Sequence, residues 1–206
     1  MSNYWNNYYK KNKGVLKPSN FAIFSKKTLK NFSGIICDIG CGNGRDTIYF
    51  NKNGFNCYGL DQSGPVIKKN KKKFKKYSTK FIKKNFINFN FSKLNQPLTI
   101  YSRFSIHSIK QEKETIFLKK ISNLKNLKYI FIEVRTIYDD LYGKGKKIGL
   151  NEFVSTHYRR FINPVKFKKK ISKKFKIISY KVSKNLAVFK NENPKVLRIV
   201  AERKIN

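Results

Sequence analysis

The chain reads as an α/β fold of three layers around a mostly parallel sheet, and three observations predict it. The apolar run Ile35-Ile36-Cys37 enters Asp38-Ile39-Gly40-Cys41-Gly42-Asn43-Gly44-Arg45-Asp46, and a helical pattern follows. A second strand pattern, Phe55 to Leu60, ends on Asp61, 23 residues after Asp38 (61 − 38). Strand and helix patterns then alternate through most of the 206 residues, which favours a layered sandwich over segregated elements.

The glycine loop carries chemistry as well as geometry. Glycine lets a backbone turn sharply and lie against a ligand that a side chain would exclude. A dinucleotide fingerprint spaces its glycines G-x-G-x-x-G. Here they fall as G-x-G-x-G behind an acid, at Gly40, Gly42 and Gly44. That spacing suits a small adenosine-bearing ligand without a pyrophosphate, with Asp38 free to meet a positive amino-acid end. An acid about 20 residues beyond such a loop takes ribose hydroxyls, the position Asp61 holds.

The remaining elements follow in order. Residues 1–20 are polar and aromatic (Trp5, Tyr8, Tyr9), serving as a lid or a packed segment, and Phe21 to Leu29 forms a short helix capped by Ser19 or Asn20. A strand spans about 34–39; the next helix carries Ile48, Tyr49 and Phe50 and stops at Gly54. Pro65 opens a helix with Val66 and Ile67 inward and lysines outward. Thr79 to Lys84 is a third strand ending at Asn85-Phe86, and Leu98 to Ser102 a fourth. Glu112 to Leu124 spaces Phe117, Leu118, Ile121 and Leu124 as a helix does, and the unbroken run Leu127 to Val134 is a buried central strand. Residues 136–160 read as a long polar connection. Asn163-Pro164 starts a helix with Phe167, Ile171 and Phe175 inward. Phe175 to Val182 and Val196 to Arg203 close the chain as a strand pair.

Length is most simply that of one domain, residues 1–206. No stretch reaches the roughly 20 apolar residues of a membrane span. Cys37, Cys41 and Cys57 are odd in number and lack metal-ligand spacing, so reduced thiols in a cytoplasmic protein are expected, with no metal. The net charge of +36 is the footprint of a nucleic-acid binder, yet lysine, asparagine, isoleucine and phenylalanine all have codons built from A and T alone. The run at 68–76 is therefore either a solvated helix face or a phosphate-contacting patch. The seven arginines, two histidines and eleven acids are scarce, and they gather at predicted strand ends, where doubly wound sheets bind ligands.

These motifs resemble the class I S-adenosylmethionine (SAM)-dependent methyltransferases. The resemblance implies a Rossmann-like sandwich with a seven-stranded sheet, mostly parallel, whose last strand is antiparallel. It implies SAM as cofactor, S-adenosylhomocysteine as product, and a methionine portion lined by Gly40, Gly42 and Gly44 with Asp38 near its ammonium, Cys41 and Arg45 also binding the cofactor. Asp61 belongs at the ribose and Asn85 and Phe86 at the adenine, with Gln62 and Ser102 also binding the cofactor. Asn85 is an amide where the family often has an acid.

Further along come Tyr101-Ser102-Arg103-Phe104-Ser105-Ile106-His107, Glu133-Val134-Arg135-Thr136, Tyr138 to Gly145, and His157-Tyr158-Arg159-Arg160-Phe161. With Tyr4-Trp5 and Pro18 to Ala22, these resemble a subgroup of small bacterial methyltransferases distantly related to tellurite-resistance enzymes, some from capsule or surface-glycan gene clusters. In this reading residues 1–30 form an N-terminal cap segment and 136–160 a substrate-side loop.

Arg103, Arg135, Arg159 and Arg160, with Tyr158, are expected at an acceptor whose phosphate or carboxylate suits arginine's planar fork. An anionic oxygen needs no base; a sugar hydroxyl would use His107 or His157, with Glu133 nearby. The competing reading is an internal network in which Glu133 pairs with Arg135 or Arg159. The leading function is O-methylation of a small anionic or glycan-linked acceptor. RNA or DNA methylation through the lysine surface comes second, without any Asn-Pro-Pro-Tyr-type motif, and a non-catalytic SAM-binding protein third.

Overall fold

The computed structural model describes residues 2–11, 17–77, 80–189 and 191–204. Two compact units divide the chain, Met1–Tyr101 and Ser102–Asn206. In the first, helices α1 (Ser2–Lys11) and α2 (Asn20–Thr28) precede β1 (Ile35–Ile39), α3 (Arg45–Lys52), β2 (Asn56–Asp61), α4 (Gly64–Lys73), β3 (Lys80–Lys83) and β4 (Leu98–Arg103), whose last two residues open the second unit. Strand β1 is buried along its whole length, Asp38 included, and pairs in parallel with β2 on one side and β4 on the other, a position its four apolar residues favour. Strand β2 pairs in parallel with β3.

Local chemistry explains the helix ends. Ser19 Oγ accepts from the Ala22 N–H and starts α2. Gly44, at φ +74°, is the left-handed entry to α3, and Gly54, at φ +84°, turns the chain away after it. Pro65 sits in the first turn of α4, which buries Val66, Ile67 and Asn70 and leaves its lysines in solvent. Tyr101 stacks on Phe21 and meets Phe50 edge-on, each at 5.1 Å between ring centroids.

In the second unit α5 (Gln111–Ser122) leads to β5 (Leu127–Arg135), and α6 (Pro164–Ser172) to β9 (Phe175–Ser183) and β10 (Val196–Arg203). Strand β10 runs antiparallel to both β5 and β9. The full hydrogen-bonded order is β3-β2-β1-β4-β5-β10-β9, a mixed seven-stranded sheet flanked by helices with its last strand antiparallel, as the resemblance implies. Both outer strands, Lys-Phe-Ile-Lys in β3 and β9 with Lys176 and Lys181, carry exposed lysines that discourage edge-to-edge pairing.

Two stretches differ from the sequence reading. The polar connection at 136–160 contains a second sheet of three short antiparallel strands, β6 (Lys146–Gly149), β7 (Glu152–Val154) and β8 (Tyr158–Arg160). Three- and four-residue strands are too short to print an alternating pattern, so the glycines there masked them. The aromatic N-terminus is helical: Tyr4, Trp5, Tyr8 and Tyr9 lie together, with Tyr4–Trp5 centroids 5.0 Å apart. The expected start of β3 at Thr79, and residues 12–16 of the N-terminal segment, lie outside the described residues.

Asn163 caps α6 by accepting from the Lys166 N–H at 3.0 Å, with Pro164 at the first helical position. Asn163→Ala should cost about 1 kcal/mol, and thermal unfolding followed by circular dichroism should show a melting temperature lower by roughly 2–4 °C.

Candidate functional site

The first unit assembles the predicted cofactor residues at the carboxyl ends of β1 and β2. Gly40 and Cys41 donate their N–H groups to the Leu60 carbonyl at 2.8 and 2.9 Å, which pins the loop to the end of β2. Gly40, Gly42 and Gly44 have φ of +70°, +53° and +74°, a left-handed run that a side chain would strain. Gly42 donates to Asp61 Oδ2 at 3.0 Å and Ser63 to Asp61 Oδ1 at 2.8 Å, so the loop and the second acid form one structure. Asn70 Nδ2 holds the Gly42 carbonyl at 2.8 Å, a role hidden in the lysine-rich run.

Asp38 is buried, and the Thr47 hydroxyl donates to its Oδ2 at 2.6 Å. Burial pushes its pKa up to about 8, and the Asp46 carboxylate adds to the rise. Burial likewise raises Asp61, opposed by the N–H groups of Ser63 and Gly42. Burial keeps the Cys41 thiol protonated, well above its ordinary value, with Asp61 adding to it.

Asp46, in the first turn of α3, accepts from the Ser19 N–H and hydroxyl, both at 2.7 Å, and from the Tyr101 hydroxyl at 2.9 Å. Arg45 Nε lies 3.7 Å from it. This node ties α2 and β4 to the helix that follows the glycine loop. Helix α1 lies over the same loop: the Ser63 hydroxyl donates to Asn6 Oδ1 at 2.6 Å, and a Cβ on Gly42 would collide with the Tyr9 hydroxyl. Gln62 is exposed beside Asp61. Asn85 caps a short 3-10 turn by accepting from Ile87 N–H, and Phe86 is buried in that turn. Thr47, Ser63 and Asn70 were not legible at this loop, because each meets its partner only once the chain has folded.

The second unit holds the predicted acceptor residues. The Ser102 hydroxyl is buried with no protein partner among the described residues. Glu133 is fully buried between Arg103 Nε at 2.9 Å and Arg198 Nε at 2.6 Å. The internal network therefore exists, with Arg103 and Arg198 in the places expected of Arg135 or Arg159. Arg135 pairs with Asp139 at 3.1 Å and with Glu192; Arg160 pairs with Glu114, which also accepts from Lys170 Nζ at 2.6 Å. Arg159 Nη1 donates to Ser155 Oγ at 3.1 Å. Three of the four expected acceptor arginines are thus committed to acids of their own.

Phe104, at φ +59°, places its ring 4.4 Å from the Arg103 guanidinium, 5.7 Å from that of Arg135 and 5.2 Å from the His107 ring. His107 Nδ1 accepts from the Arg135 backbone N–H at 3.1 Å, so the neutral ring carries its proton on Nε2. Burial, followed by Arg135, holds its pKa well below the ordinary value. Burial and Arg159 hold His157 at about 4. Burial raises the Tyr158 phenol, reinforced by Glu152. Among the described residues no helix is long and apolar enough to cross a membrane, and no group of three or more His, Cys, Asp or Glu could hold a metal ion.

The pKa of Asp38 makes a sign-definite prediction. The folded protein keeps this proton up to about pH 8, whereas the unfolded chain releases it near the ordinary aspartate value of 3.8. Between those values the native state binds more protons, so Asp38 makes stability fall as pH rises, and the fall ends above about 8. Urea unfolding of wild type and Asp38→Asn from pH 5 to 9 should show the variant gaining on wild type as pH rises. Parallel curves would mean that Asp38 ionises normally.

Residues 36–126 match the family model of a methyltransferase domain. No curated protein matches the sequence. Among solved structures, the chain is similar to a SAM-dependent methyltransferase from Anabaena variabilis ATCC 29413, with 16% identity and a TM-score of 0.74 over 98% of this chain and 93% of that one. A SAM-dependent methyltransferase from Clostridium acetobutylicum ATCC 824 matches at 13% identity and TM-score 0.68 over 98% and 92% of the two chains. The 1,6-didemethyltoxoflavin N1-methyltransferase of Burkholderia thailandensis, solved with that compound and S-adenosylhomocysteine bound, matches at 12% and 0.65 over 90% and 77%. The chain thus has the fold of SAM-dependent methyltransferases, and within it residues 36–126 match the methyltransferase-domain model.

Proposed function

We propose that the chain is one catalytic domain that moves the methyl group of SAM onto an oxygen of a small anionic acceptor, phosphorylated, phosphonate-like or glycan-linked. The residues of the first unit fit that cofactor. A buried carboxylate whose pKa stands at about 8 gains from a neighbouring cation, and an ammonium group beside Asp38 supplies one. In this reading Gly40, Cys41, Gly42 and Gly44 line the methionine portion, Asp61 and Gln62 take the ribose, and Asn85, Phe86 and Ser102 border the rest. Bound SAM supplies a methyl carbon already activated by its sulfonium. The chain's own work is then to align the acceptor oxygen and exclude water.

The observation that carries the acceptor assignment is the state of the two histidines. A neutral hydroxyl acceptor calls for a base whose pKa lies near the working pH. His107 has its Nδ1 occupied by a backbone N–H, and His157 is held at about 4. An acceptor that is already anionic needs neither.

The test is transfer of labelled methyl from SAM, at physiological salt, into competing pools of total RNA and of small phosphorylated metabolites and nucleotide-linked sugars. Label in the small-molecule pool is expected. Label in RNA would overturn the acceptor and make the exposed lysines of α4 the binding surface.

A further inference from the structure

Helix α4 carries one polar residue on its inward stripe. Val66, Ile67, Asn70 and Phe74 share a face by helical spacing, and the first three are buried, Asn70 to 2% exposure. Val66, Ile67 and the half-buried Phe74 pack with Cys41, Ile48 and Phe81 in one apolar cluster. Asparagine is a poor helix former, and a buried amide without partners is costly. Leucine or alanine would suit both the helix and the cluster better. The reason for an amide at this position lies in what it touches.

It touches the glycine loop. Asn70 Nδ2 donates to the Gly42 carbonyl at 2.8 Å, a bond that only the NH2 end of the amide can make. A Cβ on Gly44 would stand 3.1 Å from the same Nδ2 and 2.7 Å from the Phe81 ring, so the missing side chain of Gly44 lets the loop settle on Asn70 and Phe81. Gly42 is held at both ends: its N–H donates to Asp61 Oδ2 at 3.0 Å, and its carbonyl accepts from Asn70. In a trans peptide the C=O and the following N–H point in opposite directions. Drawing the Gly42 carbonyl toward α4 therefore aims the Asn43 N–H away from it. One side chain within the lysine run sets the orientation of the peptide at the centre of the G-x-G-x-G loop.

We propose that Asn70 is a positioning residue for the cofactor. It fixes the 42–43 peptide against which the amino-acid end of the cofactor lies, and it acts through the loop, being too buried to reach the ligand itself. This rests on the SAM reading, which places the methionine portion along Gly40 to Gly44, and adds the residue that gives the loop its shape. The ribose end is secured separately, because Asp61 accepts from the N–H groups of Ser63 and Gly42, and neither bond involves Asn70.

The probes are S-adenosylhomocysteine and 5′-methylthioadenosine, which keeps the adenosine and the sulfur but lacks the amino-acid end, titrated into the full chain by calorimetry. Wild type should prefer S-adenosylhomocysteine. Asn70→Ala, and the near-isosteric Asn70→Asp, whose carboxylate cannot donate, should each weaken S-adenosylhomocysteine about 10-fold, roughly the worth of one buried hydrogen bond. Their affinity for 5′-methylthioadenosine should hold, which also shows that they fold. Lys72→Ala, on the exposed face of α4, should leave both affinities unchanged. A merely structural role would weaken both probes together and keep their ratio at the wild-type value. Equal losses for the two probes, or an unchanged S-adenosylhomocysteine affinity in Asn70→Ala, would overturn the positioning role alone. Failure of the wild type to bind S-adenosylhomocysteine would sink the cofactor reading and this role with it.

Discussion

The most demanding requirement in this chain is a carboxylate placed where water cannot reach it. Asp38 lies within a fully buried central strand, beside the acid Asp46 and with a threonine hydroxyl as its donor. Burying such a group without a cation is costly. Much of the first unit is arranged around that position. The left-handed glycines carry the chain past it, Leu60 and Asp61 anchor the loop through its N–H groups, and Asn70 holds a loop carbonyl. The neighbouring acid, Asp46, is satisfied separately by Ser19 and Tyr101, which leaves Asp38 as the under-compensated one. A ligand bearing an ammonium group is what such an arrangement favours.

The second unit solves the opposite problem, too many cations, by assigning acids to them. Glu133 takes Arg103 and Arg198, Asp139 and Glu192 take Arg135, and Glu114 takes Arg160 and Lys170. With acids this scarce, each buried one is shared or matched, and breaking such a pair leaves an uncompensated charge.

Much of this was legible in the sequence, and the boundary follows physical lines. The strand, glycine loop and helix at 35–52, the acid at Asp61, the cap at Asn163 and the strand Val196–Arg203 all rest on local signals, and those signals hold. Helix α1 was not legible as a helix because its one stripe, Tyr4, Trp5, Tyr8 and Tyr9, is aromatic and the residues between are asparagines of low helix propensity. Strands β6 to β8 were too short to declare a period. The partner of Glu133 depends on the antiparallel register that sets Arg198 opposite it, and no local pattern encodes a register across 65 residues (198 − 133). The tautomer of His107 likewise depends on a backbone N–H 28 residues away.

The most direct measurement is the proton count when S-adenosylhomocysteine binds at pH 6, by calorimetry in buffers of different ionisation enthalpy. At that pH Asp38, with a pKa of about 8, is protonated in the free protein, and an ammonium placed beside it drives ionisation. Wild type should release about one proton and Asp38→Asn none. A binding heat that does not change with buffer in the wild type would contradict the placement of the ligand's cation at Asp38.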